Sequence, residues 1–333
     1  MAAWAKNGER DAGILNFKHE PLNDCAYGLE LADGTLWELS GDDTVNNWLG
    51  ELARIMGLAR VSKKPTNTIY FHGVEDLLNP SFHTKPHFGD RVSENGWKSF
   101  KNGAIHRVWR HDQIPEIHVE LHQAFLDHEE IRYINMWSVL RELHRHALWL
   151  GGTPVHATLA ALEGKGVLVA GAGGTGKSTC YSRFPDYWDR LCDDQALILH
   201  VGDGNFRVHP FPTWSDYLWR KSEKQWHVER SVPLQAVFFL EQASKDDVLP
   251  LNDPSEAVLK TLEAAKQVWE PVWSRVERKE KSAQSALLFD NVTRMAQTVP
   301  AYRLCATLDG KFWKEVERVF FSKEFNAIRT QKD

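Results

Sequence analysis

The chain has 333 residues, 42% apolar and 26% charged, with a formal net charge of -5. That length suits two domains or one large α/β unit with a sizeable core. The slight acidity, with no basic run interleaved with aromatics, gives no electrostatic reason to expect a nucleic acid partner.

Residues 1 to 24 read as a polar tail of mixed charge without the apolar core of a signal peptide. An N-terminal α+β domain is expected over residues 25–131. Its first signal runs from Tyr27 to Leu39, where apolar residues alternate on either side of Asp33-Gly34, a hairpin pattern. From Thr44 to Leu58, Val45, Trp48, Leu49, Leu52, Ile55 and Met56 recur at helical spacing. Lys63 to Arg110 reads as loop-rich. Ile117, Val119 and Leu121 alternate as a strand, which places His118, Glu120 and His122 on its other face. Those three could ligate a metal, but a solvated polar face is the reading preferred.

A second domain is expected over residues 132–333. Met136 to Leu150 forms an apolar helical stripe through Met136, Trp137, Leu140, Leu143, Ala147, Leu148 and Leu150, and Gly151-Gly152 ends it. A strand begins at Pro154. Further strands are expected at 166–170, 196–200, 236–240 and 302–304. Helices are expected after Gly176, from Asp253-Pro254, from Ser282 to Thr298 and from Phe312 to Phe321. The 14 tryptophans are assigned to core packing rather than to a peptide groove. Cys25, Cys180, Cys192 and Cys305 are widely spaced and read as free thiols. No apolar run is long enough for a membrane span, and a cytoplasmic protein is expected.

The strongest chemical signal is Gly171-Ala172-Gly173-Gly174-Thr175-Gly176-Lys177-Ser178. It fits the phosphate-binding loop pattern G-x-x-x-x-G-K-[ST], between an apolar strand and a helix. Main-chain N–H groups of such a loop cradle the phosphates of a nucleoside triphosphate. The Lys177 ammonium would lie on the β/γ-phosphate oxygens, and the Ser178 hydroxyl would join a Mg²⁺ shell. Thr179 follows the pattern and would cap or pack at the nucleotide site. Asp193-Asp194 comes just before the strand at 195–200. One carboxylate there suits Mg²⁺ and the other suits a proton taken from an attacking hydroxyl, although such a pair is also common in turns. His156, 21 residues before Lys177, joins them as a candidate.

His-Ala ahead of the loop, G-x-G-G-x-G-K-S-T, and Asp-Asp before an apolar strand together resemble the HPr kinase/phosphorylase family. The likeness covers roughly residues 150 to 325. The segments Val232 to Glu241 and Val299 to Leu304 are similar to core strands of those relatives. The N-terminal part resembles the small kinase-like proteins of peptide-modification cassettes of the SynChlorMet type.

The family likeness implies an α/β phosphate-loop core related to phosphoenolpyruvate carboxykinase, with a smaller N-terminal α+β domain. It implies ATP and Mg²⁺ as cofactors and transfer of the γ-phosphate to a Ser or Thr hydroxyl of a protein or peptide. In it Lys177 contacts the phosphates, Ser178 and Asp193 hold Mg²⁺, Asp194 is the acid/base carboxylate, and His156 lies by the transferred group. The chain departs from the family where Thr179 replaces a Glu and where a later Mg²⁺-binding Glu has no clear counterpart. Asp216 and Glu223 are the nearest candidates for that Glu. Arg220 and Lys221 could neutralise phosphate, but read rather as a solvated basic pair. A nucleotide-binding scaffold without catalysis and a small-metabolite kinase stay open as alternatives, and so does homo-oligomerisation.

Overall fold

A computed structural model describes residues 25–75, 96–102, 106–273 and 276–321. The expected 1–24 tail lies outside them. The described residues form a mixed α/β structure with two sheets, divided into two compact units. The first unit runs to Leu143 and also owns Trp214–Glu229; the second comprises His144–Thr213 and the chain from Arg230 onward.

In the first unit β1 (Tyr27–Glu30) and β2 (Leu36–Gly41) form the antiparallel hairpin. Gly34 turns it with φ +86°, a backbone angle that a Cβ disfavours. Asp42 then accepts the Thr44 N–H at 3.0 Å and starts a short 3-10 turn leading into α1 (Asn46–Met56). Gly57 ends α1 in the left-handed region at φ +70°. A Cβ there would come 2.3 Å from the Trp226 carbonyl oxygen, so both angle and space demand glycine.

The stretch Lys63 to Arg110 holds more structure than its composition suggests: β3 (Asn67–Val74), β4 (Trp97–Asn102) and β5 (His106–His111). With β6 (Glu116–His122) they give the order β1-β2-β3-β6-β5-β4. β3 hides from periodicity because its Asn67, Thr68 and Ile69 are all buried, leaving no alternation to read. Trp48 of α1 packs on Phe71 with ring centroids 5.1 Å apart.

The opposite face of β6 is not the solvated surface expected. His118 and Glu120 are buried. Glu120 faces Arg107 of β5 at 3.0 Å, and His118 Nδ1 lies 2.9 Å from His72 Nε2. A strand flanked by β3 and β5 can bury polar residues where partners stand opposite on its neighbours, as Arg107 does for Glu120.

The chain crosses into the second unit through two helices rather than one. α2 (Ile131–Val139) and α3 (Arg141–Trp149) break at Leu140. Their apolar stripe stays in phase across the break, so spacing alone reads as one helix. Asn291 donates to the Leu148 and Gly152 carbonyls at 2.8 and 2.9 Å and satisfies the end of α3.

The second sheet is built from β7 (Thr153–Leu162), β8 (Lys165–Ala170), β9 (Asp189–Cys192), β10 (Gln195–His200), β11 (Phe206–Phe211), β12 (Val232–Gln242), β13 (Asp247–Pro250) and β14 (Ala301–Ala306). Its order is β11-β10-β7-β8-β12-β14-β13, with β9 also on β7 and β11 pairing back to β12. The central strands β8, β12 and β14 are parallel, and their near-continuous apolar runs fit burial on both faces.

α4 (Lys177–Arg183) and α8 (Phe312–Phe320) cover one face, where Cys180, Phe184, Trp188, Phe238 and Phe312 share a core. α6 (Pro254–Trp273) covers the other, its Thr261 and Ala264 closing a small cavity against Val155, Leu168 and Phe239. α7 (Arg278–Ala296) packs beside α6, and α5 (Trp214–Arg220) lies in the segment owned by the first unit. Among the described residues, eight tryptophans are buried, Trp37, Trp226 and Trp269 among them. All four cysteines are free thiols. Among the described residues, no helix is long and apolar enough to cross a membrane.

Candidate functional site

The glycine loop leaves the C-terminal end of β8 and enters α4, the strand-loop-helix order read from the sequence. Gly174 and Gly176 have φ +77° and +103°, and open space surrounds the positions where Cβ atoms of Gly173 and Gly174 would lie. Gly171 is tight instead: a Cβ would meet Thr175 Oγ1 at 2.8 Å. The Thr175 hydroxyl donates to the Ala172 carbonyl at 2.9 Å, closing the loop on itself. Ala172, Gly173 and Gly174 are exposed, as are Ser178 and Thr179 at the start of α4.

Lys177 is buried, with its ammonium donating to the carbonyls of Gly171 and Ala172 at 3.0 Å each. Burial lowers its pKa and the nearby charge of Asp194 opposes that fall.

Pairing along β7 brings the other candidates to this loop. Ala157 pairs with Ala170, so His156 stands beside Gly171 at the end of β8. β9 and β10 both run along β7: Leu159 pairs with Cys192 and His156 with Gln195. Asp193 and Asp194 therefore lie opposite Thr158 and Ala157, where β9 gives way to β10. The Ala157 N–H donates to the Asp194 carbonyl at 3.1 Å.

His156 Nε2 lies 3.2 Å from Asp194 Oδ1, with both side chains partly exposed. Burial and then the Lys177 charge push the His156 pKa from 6.5 down to about 4, against the Asp193 charge and a hydrogen bond to Gln267. The imidazole is thus neutral at neutral pH. Asp193 Oδ1 accepts the hydroxyl of buried Thr213. His156, Lys177 and Asp194 come together at the loop, and Asp193 is anchored next to them.

Three residues of this constellation carried no sequence signal. Thr158, fully buried, donates to the Lys177 main-chain oxygen at 3.2 Å and lies 3.5 Å from that of Asp193. Thr213 follows β11, and Gln267 belongs to α6. Gln267 Nε2 reaches the Gly171 carbonyl at 3.3 Å across 96 positions of sequence. Only strand register and helix placement, neither readable from spacing, bring them here.

Asp216 and Glu223 fall in the 214–229 segment of the first unit. Asp216 pairs with Arg220 at 3.1 Å, and Lys221 pairs with Glu129 at 2.7 Å. Among the described residues, no three His, Cys, Asp or Glu side chains gather as metal ligands, the His118, Glu120, His122 trio included.

The profile of a family described as SynChlorMet cassette protein ScmC matches residues 120–321. The matched region runs from within β6 to the end of α8 and contains the glycine loop, His156 and both aspartates. The cassette likeness is thus borne out over residues 120–321. No individual curated protein matches the sequence.

Proposed function

Because this chain belongs to the SynChlorMet cassette protein ScmC family, and because its matched region holds the glycine loop, we propose that it is an ATP-dependent phosphotransferase of HPr-kinase type. Its acceptor is a Ser or Thr hydroxyl of a protein or peptide. The observation that carries this reading is the 3.2 Å contact between His156 and Asp194 beside a buried lysine at a glycine loop.

The loop's exposed stretch supplies main-chain N–H groups to the phosphates, and Gly173 and Gly174 leave room for close approach. The N–H groups of Lys177, Ser178 and Thr179 open a helix and have no partner four residues back. Lys177 would trade its loop carbonyls for phosphate oxygens. Ser178 and Asp193 offer the hard oxygen donors that Mg²⁺ takes, and Asp193 keeps Oδ2 for this while Oδ1 holds Thr213. Bound there, Mg²⁺ would neutralise charge on the β- and γ-phosphates.

In the transfer, the acceptor oxygen bonds to the γ-phosphorus as the bond from phosphorus to the β,γ-bridging oxygen breaks, and ADP departs with that electron pair. Asp194 takes the acceptor's proton. His156, neutral and in contact with Asp194, orients this carboxylate. The exposed loop and half-exposed Asp194 favour a macromolecular acceptor over a metabolite enclosed in a pocket. Thr179, in place of the Glu of HPr kinases, favours a second reading, a nucleotide-binding scaffold without transfer.

The two readings separate on Asp194→Asn and Lys177→Ala. With labelled ATP and lysate of the source cells, Lys177→Ala loses both ATP binding and labelling. Asp194→Asn binds ATP normally and labels about 100-fold more slowly or less. Normal labelling by Asp194→Asn removes the acid/base role, and ATP binding without labelling by the unaltered protein leaves the scaffold.

A further inference from the structure

The glycine loop has two sides, and the transfer chemistry occupies one of them. His156 and Asp194 stand on the β7 side, in contact at 3.2 Å. With the γ-phosphorus turned toward that pair, the nucleoside end of a triphosphate leaves the loop on the other side, over β12 and β14. Those strands run parallel to β8, and ligands of such sheets lie outside the carboxyl ends. Ala170, the last residue of β8, pairs with Phe239, whereas Ala306, the last of β14, pairs with Gln242. β12 and β14 therefore continue past the start of the loop and form a wall beside it. Gln242 touches the crest of the loop, its amide nitrogen 3.5 Å from the Thr175 carbonyl oxygen. β14 lies two strands from β8, roughly 10 Å at ordinary inter-strand spacing, a gap that an α-phosphate and a ribose bridge.

The wall ends in the turn 307–310, which is fastened from two directions. Asp246 Oδ1 accepts the Thr307 N–H at 2.6 Å and the Thr307 hydroxyl at 2.9 Å, and that hydroxyl accepts the Gly310 N–H at 2.8 Å. Arg183, the last residue of α4, donates to the Thr307 carbonyl at 2.9 Å and also to the Gly310 carbonyl. A Cβ on Gly310 would collide with Asp246 Oδ2, so the turn closes only with glycine there. Between these fixed points Leu308 is 76% exposed. Asp309 is exposed too, and among the described residues its carboxylate makes no ion pair or hydrogen bond. A rigid turn thus holds an apolar face and an unengaged anion out in water. The helix that fastens it, α4, begins with Lys177 and Ser178 of the loop, so turn and phosphate cradle share one support.

Resting on the phosphotransferase reading, we infer that the turn 307–310 seats the nucleoside of the bound nucleotide, with Leu308 against the face of a purine base and the Asp309 carboxylate accepting from the ribose hydroxyls. A purine face is largely apolar and gains by covering a leucine that otherwise stands in water. Ribose hydroxyls are donors, and one carboxylate can accept both at once. Phosphates are repelled by Asp309, which leaves them to the loop and Lys177 and the turn to the uncharged end of the ligand. Because Asp246 and Arg183 fix the turn beforehand, little ordering is lost when the nucleoside lands.

Titration calorimetry with Mg²⁺ and three probes, ATP, 2′-deoxy-ATP and inorganic tripolyphosphate, tests this. Tripolyphosphate carries the phosphates without a nucleoside, so it reads the loop alone. Leu308→Ala weakens ATP roughly 5-fold and Asp309→Ala roughly 10-fold, while tripolyphosphate shifts less than about twofold in either. Both side chains are exposed, so neither substitution disturbs the fold, and retained tripolyphosphate binding verifies it. The unaltered protein prefers ATP to 2′-deoxy-ATP, and Asp309→Ala erases that preference. Unchanged ATP affinity in both variants, or tripolyphosphate weakened as much as ATP, overturns the inference and leaves the phosphate loop standing. A preference for ATP over 2′-deoxy-ATP that survives in Asp309→Ala removes the carboxylate from the ribose. Binding of neither ATP nor tripolyphosphate by the unaltered protein overturns the nucleotide reading itself, and the inference with it.

Discussion

The hydroxyl of Thr158 and the main-chain oxygen of Lys177 lie 3.2 Å apart, inside the second unit and away from solvent. The same hydroxyl lies 3.5 Å from the main-chain oxygen of Asp193. One buried strand residue thus touches both the base of the glycine loop and the aspartate pair.

Thr158→Val keeps the shape of the side chain and removes the donor. The buried Lys177 carbonyl then loses its hydroxyl donor, at a cost of about 1–3 kcal/mol. Thr158→Ser retains the donor and loses less, chiefly through the missing methyl. Equilibrium unfolding in denaturant, comparing midpoints at unchanged slope, measures both. Equal stability of the Val variant and the unaltered protein would show that this hydroxyl contributes nothing.

The depressed His156 pKa sets an acid limb in stability. Above about 6.5 the ring is neutral in both folded and unfolded chains and contributes no slope. Between about 6.5 and about 4 the unfolded chain takes up a proton that the folded one refuses, so stability falls with falling pH. Below about 4 both forms are protonated and this contribution levels off. His156→Gln should flatten the profile across that window. A variant whose pH profile parallels that of the unaltered protein would place the acid sensitivity elsewhere.

The first unit offers a test of its own. Arg107 and Glu120 are 2% and 1% exposed, and their charged groups meet at 3.0 Å. Glu120→Ala removes the carboxylate from a buried guanidinium and should cost about 3–5 kcal/mol. That is a large share of the roughly 5–15 kcal/mol that holds a typical domain folded. Replacing both partners, Arg107→Met with Glu120→Leu, should restore most of the loss, since neither charge then has to leave water. Thermal unfolding of the single and double variants decides it: a double variant as unstable as the single one would mean that the pair is irreplaceable.

Much of the candidate site was legible because its pattern is local. A glycine pattern between an apolar strand and a helix fixes its own geometry, and Lys177 and Ser178 come with it. His156 and the aspartates were readable as residue types, but their meeting depends on register. Cys192 opposite Leu159 and Gln195 opposite His156 carry Asp193 and Asp194 past Thr158 and Ala157. Thr213 and Gln267 were invisible because a threonine after a strand and a glutamine on a long helix look like countless others. The polar face of β6 misled for a related reason. Alternation marks which residues share a face, and it does not reveal whether Arg107 stands opposite Glu120 to permit burial.

The return of residues 214–229 to the first unit has a consequence for synthesis and for dissection. The Trp226 N–H donates to the Ile55 carbonyl at 2.8 Å, and that of Val228 to Met56 at 3.2 Å, so the end of α1 is finished by chain made some 170 positions later. A nascent chain emerging from the ribosome has to wait for that late piece before its leading half is complete. A fragment cut after Leu143 would lack its own closing strap, and the frayed terminus of α1 would be the first place for a protease to bite.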